Sequence, residues 1–101
     1  VLILSSLSSE FVKVPVRAEE NGAVVNPTAD VVELAFAPGL TEPAGTAWNV
    51  AEWETAGADY FARIVVGPLG VVLAEGDWGV WVRVTDTPER PVHRAGTLTI
   101  T

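Results

Sequence analysis

His93 is the only histidine in the chain, set between Val92 and Arg94 in a stretch rich in Pro and Arg. One imidazole in a chain without Cys assembles neither a nucleophile–base–orienter triad nor a zinc site, so His93 reads as a solvated loop residue. Carboxylates come in pairs: Glu19 with Glu20, Glu52 with Glu54, and Glu75 with Asp77. In an extended chain Glu52 and Glu54 share a face about 7 Å apart, a separation at which two carboxyls can do glycosidic acid/base work. Nothing else polar in WNVAEWE converges on them, and they read as a solvated sheet face. Glu75 and Asp77 lack the dense Asp/Asn pattern of a calcium loop. Gly67-Pro68-Leu69-Gly70 lacks the following Lys-Ser/Thr and the helix of a phosphate loop, and reads as a turn. These residues predict no catalytic set, no cofactor and no metal.

Side chains suited to recognition are easier to find. Of the four Trp, Trp78 shares its strand parity with Val80 and Val82 and is expected in the core. Trp81 has the opposite parity beside Arg83, and Trp48 and Trp53 differ in parity from each other. Trp81 and one of Trp48 or Trp53 are therefore expected on an outer face, where aromatics serve protein interfaces or stack on sugars. Arg90, His93 and Arg94 lie in the stretch Asp86 to Arg94 of an otherwise acidic chain, and suit an acidic neighbour. The expected partner-binding residues are Trp81, Arg83, Arg90, His93 and Arg94. Leu2 and Leu4 join them if the apolar start of the chain docks on a neighbouring subunit.

Composition limits the classes. One domain is expected from 101 residues, with a hydrophobic share of 49% and a charged share of 19% that are ordinary for a folded chain. A net charge of −7, from 13 acidic and 6 basic side chains, argues against nucleic-acid binding. The absence of Cys rules out disulfides and thiolate chemistry. Val1 to Leu7 has no basic flank and is too short for a signal core or a membrane span. Residues 1–10 are expected as an N-terminal arm or edge segment, and 11–101 as the domain proper.

The elements that position these residues are strands. Trp78, Val80, Val82 and Val84 alternate with Gly79, Trp81, Arg83 and Thr85, and Leu98 and Ile100 alternate with three Thr, so residues 78–101 form a long hairpin. Phe11 to Ala18 puts Val12, Val14 and Val16 on one face, with Pro15 marking an edge. A turn is expected at Glu19 to Gly22, followed by a short extended piece at Ala23 to Val25. Further strands are expected at Asp30 to Pro38, Trp48 to Glu54 and Tyr60 to Val66. No stretch carries a helical period. About seven short strands with turn signals between them predict an all-β, antiparallel β-sandwich, a small barrel being the alternative.

Leu73-Ala74-Glu75-Gly76-Asp77-Trp78 resembles the corner of immunoglobulin-like and fibronectin-like domains, where a Tyr hydroxyl bonds back to the corner backbone. Trp78 takes that place, so the likeness is expected to be more of position than of mechanism. Ser8 to Val16, Val24 to Pro38, Tyr60 to Val66 with the GP that follows, and Leu73 to Thr101 together resemble small immunoglobulin-like virion proteins of actinobacterial tailed phages and prophages. The resemblance implies a single immunoglobulin-like antiparallel β-sandwich of about seven strands with a short N-terminal arm. It implies a non-enzymatic virion structural protein, a capsid decoration or head–tail connector component. Its partners would be other virion proteins (capsid, connector or tail subunits) in many symmetric copies, with no nucleic acid and no membrane. It carries over no catalytic residue. The alternative is a binding module for carbohydrate or a host surface, on a tail or a cell surface.

Overall fold

The computed structural model describes residues 2–20, 23–39, 41–43, 45, 47–85 and 90–101. The chain order is β1 (Leu2–Leu4), β2 (Glu10–Val16), β3 (Ala18–Glu20), β4 (Ala23–Val25), β5 (Val31–Pro38), β6 (Trp48–Val50), β7 (Glu52–Ala56), β8 (Asp59–Val66), β9 (Gly76–Thr85) and β10 (Val92–Ile100), with no helix among the described residues. A five-stranded sheet runs β1-β10-β9-β5-β6 and a three-stranded sheet runs β2-β8-β7; β3 and β4 form a separate hairpin. The expected turn residues Asn21 and Gly22, and Pro88 at the tip of the last hairpin, lie outside the described residues.

One core lies between the two sheets. Val12 and Val14 of β2 and Ala62 and Val66 of β8 meet Val32, Leu34 and Phe36 of β5, Val80 and Val82 of β9, and Leu98 and Ile100 of β10. These are the alternate residues of each strand, because a strand sends successive side chains to opposite faces. Trp78 and Val84 complete the inner face of the last hairpin but are only half-buried. Pro15 lies in β2 at the edge of the three-stranded sheet, where its missing N–H costs no ladder bond.

Three features differ from expectation. Trp48 to Glu54 is not one strand: β6 pairs with β5, β7 pairs with β8, and Ala51 between them donates its N–H to Val32 O at 2.9 Å. The chain changes sheets there, so side-chain parity does not carry across Ala51. The ladder of the last hairpin extends to Val92 opposite Arg83, placing His93 and Arg94 in β10 and not in a loop. Leu2–Leu4 is an edge strand, and it pairs parallel to Leu98–Ile100 where an antiparallel fold was expected. Ser6 N–H donates to Thr101 O and Thr101 N–H to Leu4 O, which continues that pairing past the strand end.

The corner before β9 resembles the tyrosine corner in mechanism as well as position. Trp78 Nε1 donates to Ala74 O at 2.9 Å, four residues back. Trp78→Phe removes that donor and is expected to cost about 1 kcal/mol beyond the lost ring area. Trp78→Tyr, which restores a polar tip, should cost less. Urea midpoints measure both, and a Phe variant as stable as the native chain would show that the bond contributes nothing.

Candidate protein-interaction face

The outer face of the five-stranded sheet holds most of the residues picked out for recognition. Cross-strand register sets Glu33 opposite Arg83 and Ala35 opposite Trp81 between β5 and β9, and Ala35 opposite Trp48 between β5 and β6. Arg94 of β10 sits opposite Trp81 on its other side. Ala35 is fully buried between two tryptophans, since a larger side chain would separate them. Trp48 and Trp81 are half-buried. Trp53 is not on this face: it packs against the core, and its Nε1 donates to Asp30 O at 2.9 Å.

Arg83 has work inside the domain. Its Nε and Nη2 donate to Glu33 Oε1 at 3.1 and 2.8 Å, and its guanidinium lies 4.4 Å from the centre of the Trp48 ring. The two charged side chains are only 15% and 17% exposed, so each depends on the other to offset its lost hydration. Arg83 therefore holds Trp48 and β5 in place, which corrects its expected role as a direct partner contact. It also covers a face of Trp48 that a sugar ring would need.

Trp81 Nε1 is buried without a hydrogen-bond partner. This nitrogen and Arg94 Nε each lie 3.3 Å from the point where a Gly79 Cβ would stand. Gly79 thus lets both side chains lie close on the sheet. Arg90 and Val92 are exposed beside them, and with Glu42, Pro43, Trp48, Trp81 and Arg83 they line an open basin of about 460 Å³. Asp86 and Glu89 balance Arg90 and Arg94 in formal charge, so this stretch is less acidic than the rest of the chain without being strongly basic. His93 is exposed, in register with Val82, outside the lining of the basin. Leu2 is 41% exposed, whereas Leu4 is 5% exposed and belongs to the core, which removes it from the partner contacts.

The paired carboxylates do no acid/base work in this geometry. On the outer face of the three-stranded sheet Glu54 meets Lys13 at 2.9 Å and Arg63 at 3.0 Å, and Glu52 meets Arg63 at 3.3 Å. The Lys13 hydrogen bond holds the Glu54 carboxyl below its ordinary value; partial burial opposes this, and the charges of Lys13 and Arg63 add to it. Such a carboxyl stays ionised at neutral pH and is a poor proton donor. Arg63 also lies 4.4 Å over the Phe11 ring, so the group is a cross-strand brace. Asp77 accepts from Thr99 Oγ1 at 2.8 Å, and no three of His, Asp or Glu among the described residues are grouped to hold a metal ion.

Three other residues were not picked out in sequence. Leu7, Leu69 and Val72 are 89%, 87% and 75% exposed. The available signal was weak: single large apolar residues inside SSLSS and GPLG, or in a strand-like VVL. The chain matches no protein-family model, no curated protein and no solved structure.

Proposed function

We propose that the chain is a non-enzymatic structural protein of a tailed-phage particle, a capsid decoration or head–tail connector component that acts through protein–protein contacts. The observation that carries the contact reading is the outer face of the five-stranded sheet. Its half-buried tryptophans border an open basin edged by exposed Arg90 and Val92. Aromatic and Arg side chains around a partly desolvated pocket are the usual anchors of protein interfaces. The particle assignment rests on the sequence resemblance. The immunoglobulin-like assignment is supported by the strand order β1-β10-β9-β5-β6 against β2-β8-β7, with a parallel first strand beside the last. It is supported too by the Trp78 corner.

On this reading the protein is a component of the virion, assembled in the host cytoplasm. Its neighbours are capsid, connector or tail subunits, contacted in many symmetric copies. The proposal is tested by looking for the chain in gradient-purified particles of the phage or prophage that encodes it. It is expected there in stoichiometric amount, and particles that lack it would overturn the proposal.

A further inference from the structure

The two ends of the β9–β10 hairpin differ in chemistry. Where β9 begins and β10 finishes, connections 5–9 and 67–75 are tied together, with Leu69 N–H donating to Ser9 Oγ at 3.0 Å. Leu7, Leu69 and Val72 stand exposed on these connections. Glu10, Glu75 and Asp77 are exposed around them, and stretches 2–10, 64–77 and 95–101 contain no Lys, Arg or His. Toward the other end lies the basin of Pro43, Trp48, Trp81 and Val92, with Arg90 on its rim and Arg94 beside Trp81. One molecule therefore carries an apolar projection edged by carboxylates and an apolar basin edged by guanidinium groups.

We infer that these two surfaces recognise each other between copies, the Leu7–Leu69–Val72 end of one molecule seating in the Trp48–Trp81–Val92 basin of the next. The inference rests on the reading of the protein as a multi-copy structural component. Charge complementarity selects this pairing. Two apolar ends brought together would place Glu10, Glu75 and Asp77 against their own copies, whereas the head-to-tail contact sets them beside Arg90 and Arg94. Asp86 and Glu89 neighbour Arg90 in sequence, so apolar burial supplies most of the attraction and charge sets the orientation. The contact joins two different surfaces, so it is heterologous and propagates into rings or open chains. The molecule measures 42 × 28 × 21 Å, and the projecting end offers only a small footprint. Interfaces of that size are weak in dilute solution. Association is accordingly expected at the high local concentration of an assembling particle.

Sedimentation velocity from micromolar to millimolar concentration tests this with the full chain. The native chain is expected to form a concentration-dependent series of oligomers. Leu69→Asp, which blocks the projection, and Val92→Glu, which blocks the basin, should each weaken self-association by at least about tenfold, the loss expected from removing one buried aliphatic contact. Native-like urea midpoints show that both variants are folded. An equimolar mixture of the two should form a one-to-one dimer and nothing larger, because one intact projection and one intact basin remain. A native chain that stays monomeric throughout, or a mixture that stays monomeric while the native chain associates, overturns the inference. Particle content is a separate readout. A chain that associates head to tail but is absent from particles overturns only the virion reading, and a monomer found in particles overturns only this one.

Discussion

Leu34→Ala is expected to lower the free energy of unfolding by about 2–5 kcal/mol, the range for truncating a fully buried leucine. Leu34 is 0% exposed at the middle of β5, opposite Asn49 of β6 and Val82 of β9. Neighbouring backbone is fixed on both sides by ladder pairing, so the site cannot collapse easily around the missing methyls. Domains of this size are stable by only about 5–15 kcal/mol, so the variant should lose a large part of its margin. Val50→Ala makes the internal comparison. Val50 lies in β6 on the other face and is 73% exposed, and its loss should change stability by no more than about 0.5 kcal/mol. Urea titrations of the two variants measure the difference. Equal effects would mean that the inner and outer faces of the five-stranded sheet have been exchanged.

Gly67→Ala should be comparably severe for a different reason. Gly67 has φ 133°, a region L-residues rarely adopt. A Cβ built there would lie 2.0 Å from Ser8 O and 2.7 Å from Ser9 Cα, both backbone atoms that cannot rotate away. The surrounding turn is fixed by Gly67 N–H to Val71 O at 2.9 Å and Val71 N–H to Val65 O at 2.9 Å. Strain and overlap together are expected to cost more than about 2 kcal/mol. Gly57→Ala separates the two contributions. Gly57 also has positive φ, 62°, but nothing lies within 4 Å of its would-be Cβ. It should cost only the conformational penalty, about 1–2 kcal/mol. Thermal or urea melts should rank Gly67→Ala well below Gly57→Ala, and the reverse order would contradict the close approach of 67–71 to Ser8.

The inner faces were readable in the sequence because period-2 alternation reports which side chains share a face. Val80, Val82, Leu98 and Ile100, and likewise Val32, Leu34 and Phe36, follow from that rule alone. Alternation does not report which strand lies beside which, or in what register. The Glu33–Arg83 pair joins residues 50 apart and exists only through the β5–β9 register, so Arg83 read as a free cation. The change of sheet at Ala51 also escaped a parity argument, because WNVAEWE looks uniformly strand-like. Leu4 read as an arm residue because only its pairing with Ile100 draws it into the core. Two half-buried tryptophans beside an open basin were legible in part: the opposite parity of Trp81 was visible, and the choice of Trp48 over Trp53 was not.

The central claim, a virion structural protein working through its outer sheet face, is tested most directly on the particle itself. Particles would be gradient-purified from the strain that encodes the chain, quantified by mass spectrometry and imaged by cryo-EM. The account predicts the chain in a copy number that is a whole multiple of the local particle symmetry, with the Trp48–Trp81 face against a neighbouring subunit. Particles that assemble fully without the chain, or copies whose Trp48–Trp81 face is turned to solvent, would contradict it.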